Sequence, residues 1–188
     1  MLILENITWS VPDGDSILKG VDLVIPSGGL TVITGPNGGG KTSLAKIVAG
    51  LYKPDSGRIL LDGEDITNLS ITERARKGVG YAFQQPVRFK GITVRDLLEL
   101  AAGHPLEESE LCDILGSVGL CTHDYIDREV STGLSGGEIK RIEIASVLAR
   151  SDTKLTIFDE PEAGIDLWSF AGLIEAFQKL KTKNSGSI

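Results

Sequence analysis

The chain has 188 residues and a formal net charge of −7, which corresponds to one domain large enough to bury a core. Hydrophobic residues make up 41% and charged residues 24%, unlike a disordered chain, a collagen or a coiled-coil rod. The acidic balance makes nucleic acid a poor partner, and the lack of a signal-peptide start or long apolar run predicts a cytoplasmic protein. Glycine is overrepresented, at 23 positions, so several places require backbone freedom.

The first third of the chain alternates short strands with turns. Residues 2–9 and 22–25 predict two antiparallel strands joined by a turn region at 12–15. The β-branched run at 30–34 is typical of a buried parallel strand, and it leads directly into glycines. Beyond them an apolar stripe with helical spacing predicts a helix that ends at Gly50. The stripe consists of Leu44, Ile47, Val48 and Leu51.

The remainder of the chain predicts further strands and a helical insert. Residues 58–61 predict a strand that enters a hairpin turn at 62–63, and residues 79–83 predict another strand. Apolar spacing over 93–118 predicts two helices separated at 103–105. A last strand at 155–158 and a last helix at 170–177 complete the pattern.

Residues 35–42 match the G-x-x-x-x-G-K-[ST] pattern between a predicted strand and a predicted helix, which indicates a phosphate-binding loop. Glycines there let successive backbone N–H groups point at an anion, and the helix N-terminus adds partial positive charge. Lys41 can reach the β- and γ-phosphates, and Thr42 can bind magnesium. The predicted nucleotide contacts are Gly35, Pro36, Asn37, Gly38, Gly39, Gly40, Lys41, Thr42 and Ser43.

Two carboxylates follow the strand at 155–158. Asp159 stands where a magnesium-holding carboxylate is expected beside a phosphate loop, and Glu160 is placed to orient or deprotonate a water. An acidic strand end before Pro161 is the plainer alternative.

A second glycine-rich motif precedes another helix. Ser135 and Glu138 have the spacing of a capping box, so the motif starts a helix well. Gly136 and Gly137 in its first turn are unfavourable for a helix and suggest a close backbone approach to something, for which a phosphate is the natural candidate. By contrast, Cys112 and Cys121 lack the spacing of a strong metal site; Cys121 with His123 could form half of one, but we interpret the cysteines as ordinary helix-face and loop residues.

In combination and order, these motifs resemble those of the ATP-binding cassette ATPases. Residues 35–42 are similar to that family's Walker A, Gln84 to its Q-loop, 134–138 to its signature, 155–160 to its Walker B and 163–166 to its D-loop. The resemblance implies an α/β P-loop NTPase fold with an N-terminal antiparallel β subdomain and an inserted helical subdomain. It implies one domain over 1–188, with 1–85 and 134–188 as nucleotide-binding core and 86–133 as helical subdomain.

The family resemblance also implies a mechanism. Two copies form a head-to-tail dimer in which ATP lies between Walker A of one subunit and the signature of the other. Magnesium is held by Thr42, Gln84 and Asp159; Lys41, Gln84 and Glu160 are catalytic, with Glu160 as general base. The signature contacts in trans are Ser135, Gly136, Gly137 and Glu138, and Asp166 contributes contacts across the dimer.

Two features depart from the family pattern. The family stacks adenine on an aromatic residue where this chain has Val11; Trp9, two residues earlier, is either a substitute or a core residue. The family also has a further strand with a switch histidine, whereas His104 and His123 both precede Walker B. The resemblance therefore implies a chain without its C-terminal strand, in which nucleotide binding is expected before turnover.

The motifs do not decide the partner: we take a Suf-type assembly complex as the main interpretation and a membrane transporter as the alternative at about even weight, with a third interpretation beside them. Val11, the glutamate at position 138 and the segments 82–87 and 133–141 resemble the Suf-type iron-sulfur assembly ATPases, whose partners are soluble scaffold proteins. A transporter energy subunit, peripheral at the inner face of the membrane and bound to transmembrane permease subunits, is equally compatible with the motifs. A nucleotide-sensing module without useful hydrolysis is the third reading.

Overall fold

A computed structural model of the chain describes residues 1–12, 14–84, 87–131, 133–150, 152–161, 174, 177, 178, 187 and 188. The predicted helix at 170–177 and the predicted D-loop at 163–166, with Asp166, lie almost entirely outside the described residues. Within the described part of the chain no helix is both long and apolar enough to cross a membrane.

The N-terminal strands form an antiparallel sheet. Its members are β1 (Leu2–Ser10), β2 (Ser16–Ile25), β3 (Ser56–Leu61) and β4 (Glu64–Asp65), arranged in the order β2-β1-β3-β4. Asp62 and Gly63 form the predicted hairpin turn between β3 and β4, and both have positive φ angles, of 51° and 82°. The predicted antiparallel β part of the fold is therefore confirmed.

Six helices and two further strands make up the rest of the described structure. The helices are α1 (Lys41–Ala49), α2 (Ile71–Arg76), α3 (Val94–Ala102), α4 (Glu108–Ser117), α5 (Thr122–Tyr125) and α6 (Gly136–Ala149). The strands β5 (Val79–Ala82) and β6 (Leu155–Phe158) form a two-stranded sheet. The predicted helices over 44–51 and 93–118 and the strand at 155–158 are confirmed.

The chain divides into two compact units, of which the first comprises the described residues of 1–81, 153–157 and 184–188. Its core is built from the inward faces of the antiparallel sheet and α1, where Ile7, Ile47 and Ile59 are fully buried. Arg74, itself 1% exposed, donates hydrogen bonds from its guanidinium to the carbonyls of Ile47 and Val48 at the end of α1. These bonds fix the C-terminus of the helix that carries the phosphate loop at its other end.

The prediction of a buried strand at residues 30–34 is wrong for this structure. No strand forms there, and Val32 is 78% exposed. The segment makes hydrogen bonds with Ile188, from Thr31 N to Ile188 O at 2.8 Å and from Ile188 N to Gly29 O at 2.9 Å. Within the described residues no strand pairs with residues 32–34, and an apolar β-branched run becomes a strand only when its backbone has a ladder partner.

The second unit comprises the described residues of 82–152 and 158–183 and is mainly helical. Helix α6 packs against α3 and α4. Capping boxes start α3 at Thr93 and α6 at Ser135. The core residues that the helices share are Val94, Leu98, Leu111, Leu115, Ile139, Ile142 and Ala145.

Candidate functional site

The predicted phosphate loop is an exposed turn that ends at the first residue of α1. Gly38 and Gly40 have φ angles of 78° and 86°, which side chains disfavour. A Cβ at Gly40 would also lie 2.8 Å from Leu18 Cδ2, so a side chain there would require the end of Leu18 to shift. Gly40 is the N-cap of α1 and supplies no side-chain hydrogen bond, and the first turn of the helix has no acidic residue. Backbone N–H groups at this helix start can therefore serve an anion.

Lys41 holds the loop closed on itself in this structure. Its Nζ donates hydrogen bonds to the carbonyl oxygens of Gly35 at 2.9 Å and Pro36 at 3.0 Å. Thr42 and Ser43 follow in the first turn of the same helix, partly exposed. The loop therefore places a cation, a helix N-terminus and a hydroxyl side chain within one short segment, which is the composition of a phosphate site.

The two candidates for the base-stacking position have different environments. Val11 is 42% exposed, whereas Trp9 packs on the core and stacks one face on Tyr52, with ring centroids 4.9 Å apart and planes 9° apart. Lys46 Nζ lies 5.2 Å from the centroid of the Tyr52 ring. Trp9 is thus engaged in packing, as the core interpretation of that residue expected.

The glutamine and glutamate predicted for catalysis are in direct contact. Gln84 Nε2 donates to Glu160 Oε2 at 2.5 Å. Glu160 has a φ angle of 47°, an uncommon conformation for a residue with a side chain and one that is concentrated at functional sites. The preceding Asp159 is 5% exposed and its backbone N–H donates to Ala82 O at 3.3 Å. The structure therefore brings three of the predicted residues to the ends of β5 and β6.

The second glycine motif forms the predicted capping box. The Ser135 hydroxyl accepts from Glu138 N, and Ser135 N donates to Glu138 Oε2 at 2.7 Å. The other carboxylate oxygen of Glu138 accepts a hydrogen bond from the Tyr125 hydroxyl at 2.5 Å. The hydroxyl of Tyr125, followed by the bonds from Ser135, lowers the pKa of Glu138 to about 2, and the same contact raises the pKa of Tyr125.

Replacing Tyr125 with phenylalanine is expected to lower the free energy of unfolding by about 1 kcal/mol near neutral pH, since a partly exposed charged hydrogen bond is lost. The folded-state pKa of Glu138 lies below its ordinary value of 4.5, so its stabilisation is present above that value and is lost as the pH falls toward 2. Urea unfolding curves at several pH values should show the difference between wild type and Tyr125→Phe shrinking below pH 5. Glu138→Gln keeps a hydrogen-bond acceptor but carries no charge, so its unfolding free energy should depend less on pH below pH 5 than that of wild type. If the difference in unfolding free energy between wild type and Tyr125→Phe stayed constant down to pH 2, the Tyr125 hydrogen bond would not be the cause of the lowered pKa of Glu138.

Gly136 has no evident need to be glycine within the chain. Apart from its neighbours and the backbone of its own helix, a Cβ built there meets no atom of the described residues within 4 Å, and its φ angle is not in the left-handed region. A helix-starting residue with open space around it tolerates alanine, which is the better helix former. Among the described residues, nothing therefore occupies the space beside Gly136 at the N-terminus of α6.

Comparisons with known proteins agree with the motifs. The sequence model of the family described as ABC transporter matches residues 18–163. The chain belongs to this family. It is 43% identical over 175 residues to an uncharacterized ABC transporter ATP-binding protein of Methanocaldococcus jannaschii, a match that covers 89% of this chain and 70% of that protein. It is 36% identical to a probable ATP-dependent transporter of Cyanophora paradoxa, over 100% of this chain and 77% of that protein.

Solved structures of ABC ATPases share the fold. A dimeric ATP-binding cassette in a post-hydrolysis state, bound to ADP and phosphate, superposes with a TM-score of 0.84 at 24% identity, over 100% of this chain and 85% of that one. A subunit of the ABC transporter complex cbiONQ from Clostridium perfringens superposes with a TM-score of 0.78 at 30% identity, over 100% of this chain and 76% of that one. The predicted α/β P-loop ATPase fold is confirmed, and as an ABC ATPase the chain is an ATP hydrolase.

The residues of this ABC ATPase suit ATP and magnesium chemically. The open helix start at Gly40 and the Lys41 ammonium fit the triphosphate. Hydroxyl, amide and carboxylate oxygens, as on Thr42, Gln84 and Asp159, are the hard ligands that magnesium takes, and the ion would neutralise charge on the phosphate oxygens. The loop lies in the first unit, and Gln84, Asp159 and Glu160 lie together in the second. Among the described residues no group of three His, Cys, Asp or Glu side chains could hold a metal ion. Cys112 and Cys121 therefore belong to no such group in that part of the chain.

Three residues that contact the predicted site residues or their neighbours in this ABC ATPase were not found by sequence reasoning. Tyr125 completes the environment of Glu138, and Lys140 and Glu143 bond the backbone of Phe83. For the last two, the available signal was a pair of opposite charges three positions apart on the same helix, α6. Tyr125 gave no comparable signal, because its partner is 13 residues away in sequence.

Proposed function

We propose that this ABC ATPase is the ATP-binding subunit of a membrane transporter, in which ATP binding and hydrolysis drive transmembrane permease subunits from the cytoplasmic side. Its relatives bear transporter names, and the structural neighbour from Clostridium perfringens is part of a transporter complex. The domain division expected from the motifs, with a helical subdomain at 86–133 inside a nucleotide-binding core, belongs to this proposal.

Two copies of the chain would form a head-to-tail dimer around two ATP molecules. In each site, residues 35–43 of one copy would hold the triphosphate and the signature of the other would cover it. Glu160 would act as general base, positioned by Gln84, while Thr42, Gln84 and Asp159 would hold magnesium. The signature contacts in trans would come from Ser135, Gly136, Gly137 and Glu138, with Asp166 contributing across the dimer.

The observation that supports this arrangement best is the open space around Gly136. Apart from its chain neighbours and the backbone of its own helix, none of the described residues has an atom within 4 Å of the position of its missing Cβ, so the described part of the fold does not exclude a side chain there. The adjoining helix start offers backbone N–H groups and a partial positive charge. A glycine at such a place lets a phosphate held by a second copy approach the backbone at the start of the helix.

Gly136→Ala is therefore expected to leave stability unchanged or raised by up to about 0.5–1 kcal/mol, but to lower ATP turnover. A methyl group that displaces a phosphate by about 1 Å can cost about 10²-fold in rate, so we expect a loss of at least about tenfold. The measurements are urea unfolding and steady-state turnover of the purified chain.

The matched control is Gly116→Ala. Gly116 lies in α4 and is exposed, and outside its own helix backbone and neighbours no described residue comes within 4 Å of its Cβ position, so the same chemical change is made outside the site. Its turnover should equal that of wild type. Equal turnover in the two variants would contradict a role for the signature glycine.

A Suf-type iron-sulfur assembly ATPase is the second candidate, favoured by the aliphatic Val11 and by the glutamate at position 138. Both candidates use the same site chemistry and differ in partner. Neighbouring genes that encode soluble scaffold proteins would support the Suf-type role, and genes for polytopic membrane proteins would support the transporter role.

A further inference from the structure

Two charged side chains of α6 form hydrogen bonds to the backbone of Phe83, the residue that follows β5. Lys140 Nζ donates a hydrogen bond to the carbonyl oxygen of Phe83, and Glu143 Oε1 accepts one from Phe83 N at 2.7 Å. The two side chains also form an ion pair, with Lys140 Nζ 3.0 Å from Glu143 Oε2. The strand was expected to include Phe83, and it ends at Ala82 because both backbone groups of Phe83 bond side chains of a helix.

The pair is buried, which makes it costly to maintain. The Lys140 side chain is 1% exposed and that of Glu143 is 13% exposed. Removing two charges from water commonly costs as much as their attraction returns. Apolar residues of similar size would avoid that cost but would leave the N–H and the carbonyl of Phe83 without these two partners. What the ion pair provides and an apolar pair does not is therefore a fixed backbone position at Phe83.

Phe83, whose backbone is held by these bonds, directly precedes Gln84 in the sequence. The N–H and the carbonyl of Phe83 are both hydrogen-bonded. The peptide group that joins Phe83 to Gln84 is therefore held in place, and with it the position of the Gln84 Cα. The Gln84 side chain then reaches Glu160 Oε2 at 2.5 Å. All of these residues lie in the second unit, and α6 is the helix that begins with the signature at Gly136.

We propose that Lys140 and Glu143 act as a positioning clamp that sets Gln84 against Glu160 and ties that contact to the signature helix. The proposal rests on the proposed roles of Gln84 and Glu160 in hydrolysis. Lys140 and Glu143 touch neither substrate nor reacting atoms; they act through the peptide of Phe83. Loss of the clamp frees the Gln84 side chain from Glu160 without altering the phosphate loop, which is in the first unit.

The test replaces the clamp by an apolar pair, Lys140→Met with Glu143→Met, so that no buried charge is left alone. The side-chain amide of Gln84 is observed by NMR in the whole chain, with its resonances assigned from Gln84→Ala and its unbonded position taken from Glu160→Ala. We expect the Gln84 amide signals of the double variant to move to that unbonded position, and exchange of the Phe83 amide to accelerate at least about tenfold. Turnover should fall about 10-fold or more with KM for ATP changed less than about twofold.

A control removes an ion pair of the same unit that does not touch Phe83. Arg95→Met breaks the contact of Arg95 with Glu108 on the surface and should leave the Gln84 signals and turnover at wild-type values. A folded double variant whose Gln84 signals stay at the wild-type position would overturn the clamp. Glu160→Gln separates the two proposals. If this variant still hydrolyses ATP, the assignment of Glu160 as general base is wrong. If it is inactive while the double variant is fully active, the clamp is wrong and the assignment of the base stands.

Discussion

Glu160→Gln is expected to reduce ATP turnover by about 10²–10⁴-fold, the usual contribution of a general base. Glutamine has the shape of glutamate but cannot accept a proton from the attacking water, and its carbonyl oxygen can still receive the hydrogen bond from Gln84. ATP should therefore bind normally and remain intact. Because bound ATP would hold the proposed dimer together, the variant should elute as a dimer from size exclusion in the presence of ATP and as a monomer with ADP.

The control for this variant is Asp152→Asn, an equal charge change shortly before β6 at an exposed residue paired with Arg150. It should hydrolyse ATP like wild type. If Glu160→Gln retains turnover within a factor of about three, well short of a general-base effect, a different residue activates the water. If it is inactive but stays monomeric with ATP, the dimer mechanism is wrong while the base assignment stands.

Lys41→Ala is expected to weaken ATP binding by about 10–100-fold, the equivalent of about 1.5–3 kcal/mol for a charged hydrogen bond. In the structure the ammonium is shared between Gly35 O and Pro36 O, so the same side chain shapes the loop and, in the proposed site, would supply the cation that faces the phosphates. Arginine should not restore binding, because its planar fork differs in reach and geometry from an ammonium. Calorimetric titration with ATP measures the effect.

Lys46→Ala provides the matched change on the same helix. It removes one positive charge from the last turn of α1, where Lys46 lies over Tyr52. ATP affinity should change by less than about twofold, since the partly exposed Lys46 contacts the Tyr52 ring rather than the loop and salt screens its charge. Equal losses in the two variants would show that net charge, rather than the position of Lys41 in the loop, governs binding.

Local patterns predicted much of this fold because their signals depend on nearby residues. The capping box at Ser135, the left-handed turn at Gly63 and the helix end at Gly50 each follow from residue types within one turn of the chain. The phosphate loop was found in the same way, since its glycines, lysine and helix are contiguous.

Contacts between distant segments were not predictable in this way. Residues 30–34 have the composition of a strand, but a strand requires a backbone partner that composition does not name. The strand at 79–83 ends one residue early because side chains 57 and 60 residues later take both backbone groups of Phe83. The contact between Gln84 and Glu160 spans 76 residues; family resemblance identified both residues but not their bond.

The central claim is that each ATP site is shared between two copies of the chain. The most direct measurement mixes two inactive variants, Lys41→Ala, which spoils the phosphate loop, and Gly136→Asp, which places a carboxylate in the signature. A head-to-tail mixed dimer contains one site with an intact loop from one copy and an intact signature from the other. The account predicts that the mixture hydrolyses ATP well above the sum of the two separate variants, and a mixture no more active than that sum would contradict it.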